Sequence, residues 1–304
     1  MNRPIAWLRP RLFVVAVAVV ALAVVVGCGG GGKKSSTSAA VSKVSRSGKV
    51  AGEVPAAIRK KGTLTVAADA TYPPNEFTAP NGHTVIGMDA DLASALAKVM
   101  GLKAKLQNAT FDSIIPGLAA KKYDLGMSSF TDTKVREKTV DFVTYYTVFT
   151  SFFVKKSGGP TINGLADLCG HKVGVEKGTT QQDDATKQSG KCKKAGKPPV
   201  KVLVFPDQNG VNLALSSGRA QVDMADSPVA AYVVRKSNGQ FKLTGRNYGP
   251  FPYGIAIPKG TGMVKPVRDA LNVLITKGTY LAILKKWGIQ VGAIKHSKIN
   301  GAIS

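Results

Sequence analysis

The amino-acid sequence predicts an α/β fold of two compact lobes, each a sheet flanked by helices. Three observations carry this. Short apolar runs of strand type alternate with stripes of helical spacing, the order that builds parallel sheets with crossover helices. A second such unit begins near Val154. About 250 residues follow a polar leading segment, and the chain is 44% hydrophobic, which supports two cores of ordinary size.

Residues 61–68 alternate and then run apolar into Asp69, which predicts a strand. Residues 69–77 form a loop, because Pro73 and Pro74 cannot continue a ladder. Asn81-Gly82 marks a tight hairpin turn. Leu92, Leu96 and Val99 share one face of a helix over residues 89–100, stopped by Gly101. Phe111, Ile114, Ile115 and Leu118 give a second helical stripe, made irregular by Pro116, and residues 123–128 read as a buried strand. In the second unit, residues 172–176 are a strand. Gly178-Thr-Thr-Gln-Gln182 then opens a helix whose free amides point at whatever lies in front of it. Residues 200–205 are another strand, and Val211 and Leu215 begin a helix that ends near Gly218. Residues 221–225 form a short strand running into Asp226-Ser227-Pro228, where Asp226 or Ser227 could cap the next helix. Residues 243–245 lead back, and residues 253–258 form a strand expected to rejoin the first lobe. Residues 264–287 supply terminal helices, with Leu271, Leu274 and Ile275, then Tyr280, Ile283, Leu284 and Trp287, as buried stripes. Lobe 1 is thus assigned residues 54–153 and 247–290, lobe 2 residues 154–246, and a tail residues 291–304. Two crossings between lobes are expected, near 153–155 and near 245–248.

Ahead of the lobes, residues 1–27 carry Arg3, Arg9 and Arg11 and then fifteen apolar residues, Leu12 to Val26. A transmembrane helix needs about 20, so the run matches the core of a secretory signal peptide. It closes on Val25-Val26-Gly27-Cys28, which resembles a lipobox. Lipid on Cys28 would hold the chain on the outer face of the cell membrane, or in the periplasm, each buried methylene contributing about 0.8 kcal/mol. A signal anchor with an incidental cysteine is the plainer alternative. Residues 28–53 are small, polar and basic, with no acidic residue before Glu53, and read as a lipidated flexible tether. The net charge of +24 would suggest nucleic acid in a cytoplasmic protein. In an exported chain it fits a polyanionic envelope better, and no aromatic-basic motif argues for nucleic acid. With Cys28 acylated, Cys169 and Cys192 remain as an even pair in an oxidising compartment. A disulfide is expected, contributing about 3–4 kcal/mol in the chain-entropy model. Metal binding is the weaker alternative, since His83, His171 and His296 are scattered and the cysteine spacing fits no zinc pattern. No cofactor is expected.

Residues 124–146 place Ser129, Thr131 and Arg136 beside an apolar strand-like run. Arginine grips a carboxylate through two parallel hydrogen bonds, and hydroxyls and turn amides complete such a cradle. The pattern S-S-x-T-x-T-x-x-R, followed by Tyr145-Tyr146, resembles the extracytoplasmic solute-binding proteins of family 3, which deliver amino acids to ABC importers. Other segments sit in that family's order between Gly62 and Gly288. They are Asp69-x-x-Tyr72-x-Pro, Gly87-Met-Asp-Ala-Asp91, Gly178-Thr-Thr-Gln181, Ser217-Gly-Arg219, Asp226-Ser-Pro228, Tyr253-Gly254 and Gly278-Thr-Tyr280 with Lys286-Trp287-Gly288. The sequence departs from the pattern at Asn75 and Met88, where aromatics are usual, and at Gln221, where an aspartate is common.

The resemblance implies a type II periplasmic-binding-protein-like fold, two hinge crossings and a ligand cleft between the lobes. It implies that Arg136 takes the carboxylate of a free amino acid, assisted by the Thr131 amide. Thr179 and Thr180 add amide donors from the second lobe. Asp226 takes the ammonium, helped by Ser129, and Tyr72 and Phe130 sandwich the aliphatic part. Asp69 and Glu176 face the ligand side chain and favour a cationic or amide-bearing one. The implied partners are an ABC permease and, through the lipid, a membrane; a monomer is expected. Each residue taken alone has a plainer reading: Arg136 on a surface loop, Asp226 and Thr179 as helix caps, Tyr72 and Phe130 in the core, Asp69 capping a turn, Glu176 facing solvent. The rival classes are an enzyme of the same fold, dehydratase-like or wall-lytic, and a ligand-sensing receptor domain. The chain contains no Gly-x-Ser-x-Gly elbow, phosphate loop or His-Glu-x-x-His, and no second apolar span follows Gly288.

Overall fold

The computed structural model describes residues 39–303. The segment expected to be a signal peptide and Cys28, the expected lipidation site, lie outside the described residues. Three short helices come first: α1 (Ala39–Ser42), α2 (Gly48–Glu53) and α3 (Ala56–Lys61). The first lobe then runs β1 (Thr63–Ala68), β2 (Thr71–Tyr72), β3 (Glu76–Thr78), β4 (Val85–Ile86), α4 (Met88–Val99), β5 (Lys103–Asn108), α5 (Phe111–Ala119), β6 (Leu125–Gly126) and α6 (Lys134–Glu137). A long strand, β7 (Val140–Lys155), leads into the second lobe. There the chain forms β8 (Lys172–Glu176), α7 (Thr180–Lys194), β9 (Lys201–Phe205), α8 (Gln208–Ser217), β10 (Val222–Asp226) and α9 (Ser227–Lys236). A second long strand, β11 (Phe241–Pro258), returns to α10 (Val264–Thr276) and α11 (Thr279–Trp287).

Each lobe has its parallel strands, β1 with β5 and β6 in the first and β8 with β9 and β10 in the second. The two sets join into one sheet, because β7 and β11 pair antiparallel along almost their whole length and belong to both. β10 pairs with Thr150 to Phe153 of β7, while Val140 to Tyr146 pair with the far end of β11. The first crossing therefore falls within residues 147–149, ahead of the expected 153–155. The second is spread over register shifts between Thr244 and Phe251 of β11. The first crossing lies inside a strand rich in β-branched and aromatic residues, so no loop marks it in the sequence. The second carries Gly245, Gly249 and Pro250, residues that interrupt regular pairing. β7 is buried at nearly every position because helices and strands cover both of its faces.

The first core gathers Leu64, Val66, Leu92, Leu96, Tyr145 and Leu271, and the second Phe152, Val154, Val173, Val175 and Met224. Cys169 and Cys192 are joined, with Cα atoms 5.7 Å apart. Gln221 serves the backbone, its side-chain oxygen accepting the Lys172 amide at 2.9 Å.

One expectation is overturned. Residues 39–53, read as part of a flexible tether, fold onto the first lobe. Val41 and Val50 are buried in its core. The Ser47 amide donates to the Val99 carbonyl at 2.9 Å, Lys98 Nζ donates to the Val41 carbonyl at 2.9 Å, and Lys265 pairs with Glu53. A few spaced valines suffice when α4, α10 and α11 supply the opposite wall, and an average over composition hides them.

Candidate functional site

Asp69 follows β1, Ser128 and Ser129 follow β6, Thr179 follows β8, and Asp226 closes β10. The carboxyl ends of the parallel strands of both lobes thus meet at one cleft, where open α/β sheets place their ligand-facing loops. The two lobes close tightly over it, leaving about 10 Å³ of free cavity volume. Asp69, Tyr72, Ser129, Thr131, Arg136, Glu176, Thr179, Thr180 and Asp226, all picked out from sequence, line it. Phe130 does not. Its ring stacks behind that of Phe111, centroids 4.5 Å apart, and Phe111 is the ring that faces the cleft.

Arg136 is carried by α6, whose cap is Thr133, the hydroxyl accepting the Arg136 amide at 3.2 Å. The guanidinium lies 5.3 Å from the Phe111 ring centre and 5.5 Å from that of Phe130. It donates to the Thr131 carbonyl at 2.8 Å and, across the cleft, to the Gly178 carbonyl at 2.9 Å. Two of its five N–H donors are thereby used. Gly178 has φ +78, and a Cβ there would sit 3.1 Å from the Asp112 Cβ, so glycine suits this close approach. Loss of water lowers the Arg136 pKa to about 10, which leaves it charged at neutral pH.

Asp226 occupies the N-cap position of α9, yet its side chain makes no cap hydrogen bond. Oδ1 accepts from Gln181 Nε2 at 2.8 Å, and Oδ2 accepts from the Tyr253 hydroxyl at 2.5 Å. Its amide donates to the Tyr72 hydroxyl at 2.8 Å, a second bond between lobes. Burial raises its pKa to about 6, opposed by these hydrogen bonds and by Arg136.

Asp69 lines the cleft while serving its neighbours. Its oxygens accept from the Thr71 hydroxyl at 2.6 Å and from the Phe111 amide, at the start of α5, at 2.9 Å. Glu176 is only 4% exposed, and its Oε1 has no hydrogen-bond partner. Burial first, then Asp69, Asp207, Asp226 and Asp223, hold it well above the usual carboxylate range. Thr179 caps α7, its hydroxyl accepting the Gln182 amide at 3.2 Å and donating to the Glu176 carbonyl at 2.7 Å. The Thr180 hydroxyl donates to Gln181 Oε1 at 3.3 Å.

Ser129 adopts φ +53, a left-handed conformation unusual for serine. This aims its amide at Asp89 Oδ2, 3.0 Å away, and its hydroxyl at Glu76 Oε2, 3.1 Å away. Asn75 is fully buried and donates to the Ser129 hydroxyl at 2.9 Å. It supports the wall from behind and does not line it. Glu76, Phe111, Ser128 and Gln181 line the cleft without having been singled out. Phe111 reads as a core stripe and Glu76 sits inside a loop, while Ser128, the first serine of the S-S-x-T-x-T-x-x-R pattern, and Gln181 lay in quoted motifs without being assigned a role.

Two lobes, two strand crossings and a charged cleft between them define a clamp for a small solute. The chain belongs to the bacterial extracellular solute-binding proteins, family 3, whose model matches residues 64–290. It is 33% identical over 248 residues to the arginine-binding protein ArgT of Corynebacterium glutamicum, covering 81% of each chain. The structure of an ancestral arginine-binding protein bound to arginine matches with a TM-score of 0.69 and 38% identity, over 75% of this chain and 98% of that one. An ancestral amino-acid-binding protein, a precursor of cyclohexadienyl dehydratase, matches with a TM-score of 0.66 and 36% identity, over 76% of this chain and 97% of that one. No helix among the described residues is long and apolar enough to cross a membrane.

Proposed function

We propose that the chain is the substrate-binding component of an amino-acid ABC importer, taking a cationic amino acid, arginine first, and delivering it to the permease. The observation that carries this reading is the composition of the cleft. A half-buried arginine from the first lobe and a buried aspartate from the second line it together, beside Glu176, whose Oε1 has no hydrogen-bond partner. Arg136 has donors left for a carboxylate. Asp226 suits the ammonium, and Glu176 with Asp69 suits a guanidinium or second ammonium. Tyr72 and Phe111 offer apolar surface to the stem between them, and the turn ahead of α7 at Thr179 and Thr180 adds backbone donors. A ligand carrying both signs offsets its desolvation only when each charge is met, which this arrangement allows. The arginine-binding relatives support the ligand class. The protein works as a monomer held by lipid on Cys28 at the outer face of the membrane.

A thermal-shift panel of the twenty amino acids tests the reading. Arginine, lysine, histidine or glutamine should stabilise the protein by RT ln(1 + [L]/Kd), and stabilisation by glutamate alone would overturn the roles given to Asp69 and Glu176. The second reading, an enzyme of the same fold, has one observation in its favour. Glu76 and Glu176 are both held well above the usual carboxylate range, chiefly by burial, as a general acid must be. Turnover of a bound amino acid or its carbocyclic relatives would establish that reading, and binding without turnover the first.

A further inference from the structure

We propose that residues 294–302 are a strap that positions the ligand-binding loop, acting through Asp132 and Glu137. The inference rests on the reading above that Thr131 and Arg136 hold the ligand. The strap lies beyond residue 290, where the match to the family model ends.

Its course is set by backbone chemistry. The Ile294 amide donates to the Tyr280 hydroxyl at 3.0 Å, which seats the strap on α11. It then runs antiparallel to β7, with Ile299 opposite Val143. The Thr144 amide donates to the Lys298 carbonyl at 2.8 Å, and the Asn300 amide donates to the Phe142 carbonyl at 3.0 Å. Asn300 Oδ1 accepts the Phe142 amide at 2.8 Å. β10 pairs only with Thr150 to Phe153, so this end of β7 would otherwise show an open edge.

From that edge the strap reaches the loop. The Gly301 amide donates to Asp132 Oδ2 at 2.7 Å, and the Ala302 amide to Glu137 Oε1 at 3.3 Å. Asp132 directly follows Thr131, and Glu137 directly follows Arg136. The strap therefore holds a residue next to each of the two groups assigned to the ligand carboxylate. Asp132 is 1% exposed and its other oxygen has no hydrogen-bond partner, so the Gly301 amide is its main compensation. Its own amide is tied to the Pro252 carbonyl at 2.8 Å. Without the strap the buried carboxylate turns toward water and takes the Thr131–Arg136 segment with it. Gly301 is suited to the close approach, since a Cβ there would stand 2.9 Å from Thr144 Cγ2.

The test compares the full chain with a variant ending at Ile299 and with G301V. L-arginine affinity is measured by calorimetry, and amide hydrogen exchange is followed on the ligand-free proteins. We expect at least a tenfold weaker Kd in both variants. Exchange should quicken within residues 131–137 while α4 and α7 keep their protection. Unchanged protection of residues 131–137, or unchanged affinity in a variant that binds, overturns the strap. If the shortened chain does not fold, G301V decides. If the full chain binds no amino acid, the proposed function fails, and the exchange pattern alone judges the strap.

Discussion

Asp226 heads a helix without capping it, and that detail separates a structural residue from one held ready for a ligand. Both its oxygens are engaged by neutral donors, Gln181 and Tyr253, and the positive charge of Arg136 across the cleft also favours its ionised form. Replacing Asp226 or Arg136 with alanine leaves a buried ligand charge unpaired and should cost about 3–5 kcal/mol of affinity. Calorimetry on the two variants checks this, and near-wild-type Kd values would remove both from the site. Proton linkage gives a second expectation. Burial holds Asp226 at about 6 in the ligand-free protein, and an ammonium needs its ionised form. Affinity should weaken as pH falls below about 6, and binding near that pH should release a proton. Equal heats in two buffers of different ionisation enthalpy would contradict it. For folding of the ligand-free protein the sign is reversed. A folded pKa above the ordinary aspartate value of 3.8 favours the fold below 3.8, and that contribution is lost as pH rises through about 6. Glu176→Gln should weaken arginine far more than glutamine, and an unchanged ratio of the two would show that Glu176 does not meet the ligand side chain.

The long strands and the small attachments behave differently as elements. Most helices and strands were legible because their apolar stripes are regular. The stripe Leu92, Leu96 and Val99 is α4, and the alternation before Asp69 is β1. The attachment of residues 39–53 was not legible, since Val41 and Val50 have nothing local to pack on. Val50→Ala removes two buried carbon groups, about 2 kcal/mol at ~0.8 each plus a cavity term. A flexible tether would show no change in melting temperature. The bridge from Cys169 to Cys192 closes a loop with a sequence separation of 23. Cys192→Ser should lower stability by about 3 kcal/mol in denaturant titration, and an unchanged midpoint would show that the bridge does not constrain the unfolded chain.

At the scale of the molecule, the lobes meet through polar contacts around the cleft and through the packing of Tyr72 and Phe77 against the second lobe. Arg136 reaches the Gly178 carbonyl, the Asp226 amide reaches Tyr72, and Lys177 pairs with Asp112 at 2.8 Å. The Gln208 amide reaches the Thr71 hydroxyl at 3.3 Å. The ion pair at the rim, Lys177 with Asp112, is exposed and individually weak, and a ligand bridging both lobes adds to the few contacts that hold them together. The expected motion is a hinge in the middle of β7 and β11, where the register shifts lie. Small-angle scattering should record a smaller radius of gyration with arginine than without. Binding with no change in radius would mean that the lobes stay together in both states.

The sequence by itself determined the fold class, the family and nearly all of the cleft's charged residues. Each of these is written in local patterns: stripes, turn residues and the spacing from Ser129 to Arg136. The tertiary structure decided what those patterns leave open. It put Phe111 and not Phe130 on the cleft wall, turned Asn75 behind Ser129, carried the first crossing inside the continuous strand β7, and folded residues 39–53 onto the first lobe. These choices depend on which surface meets a residue from far along the chain. Periodicity reports which face of an element is apolar, but not what packs against it.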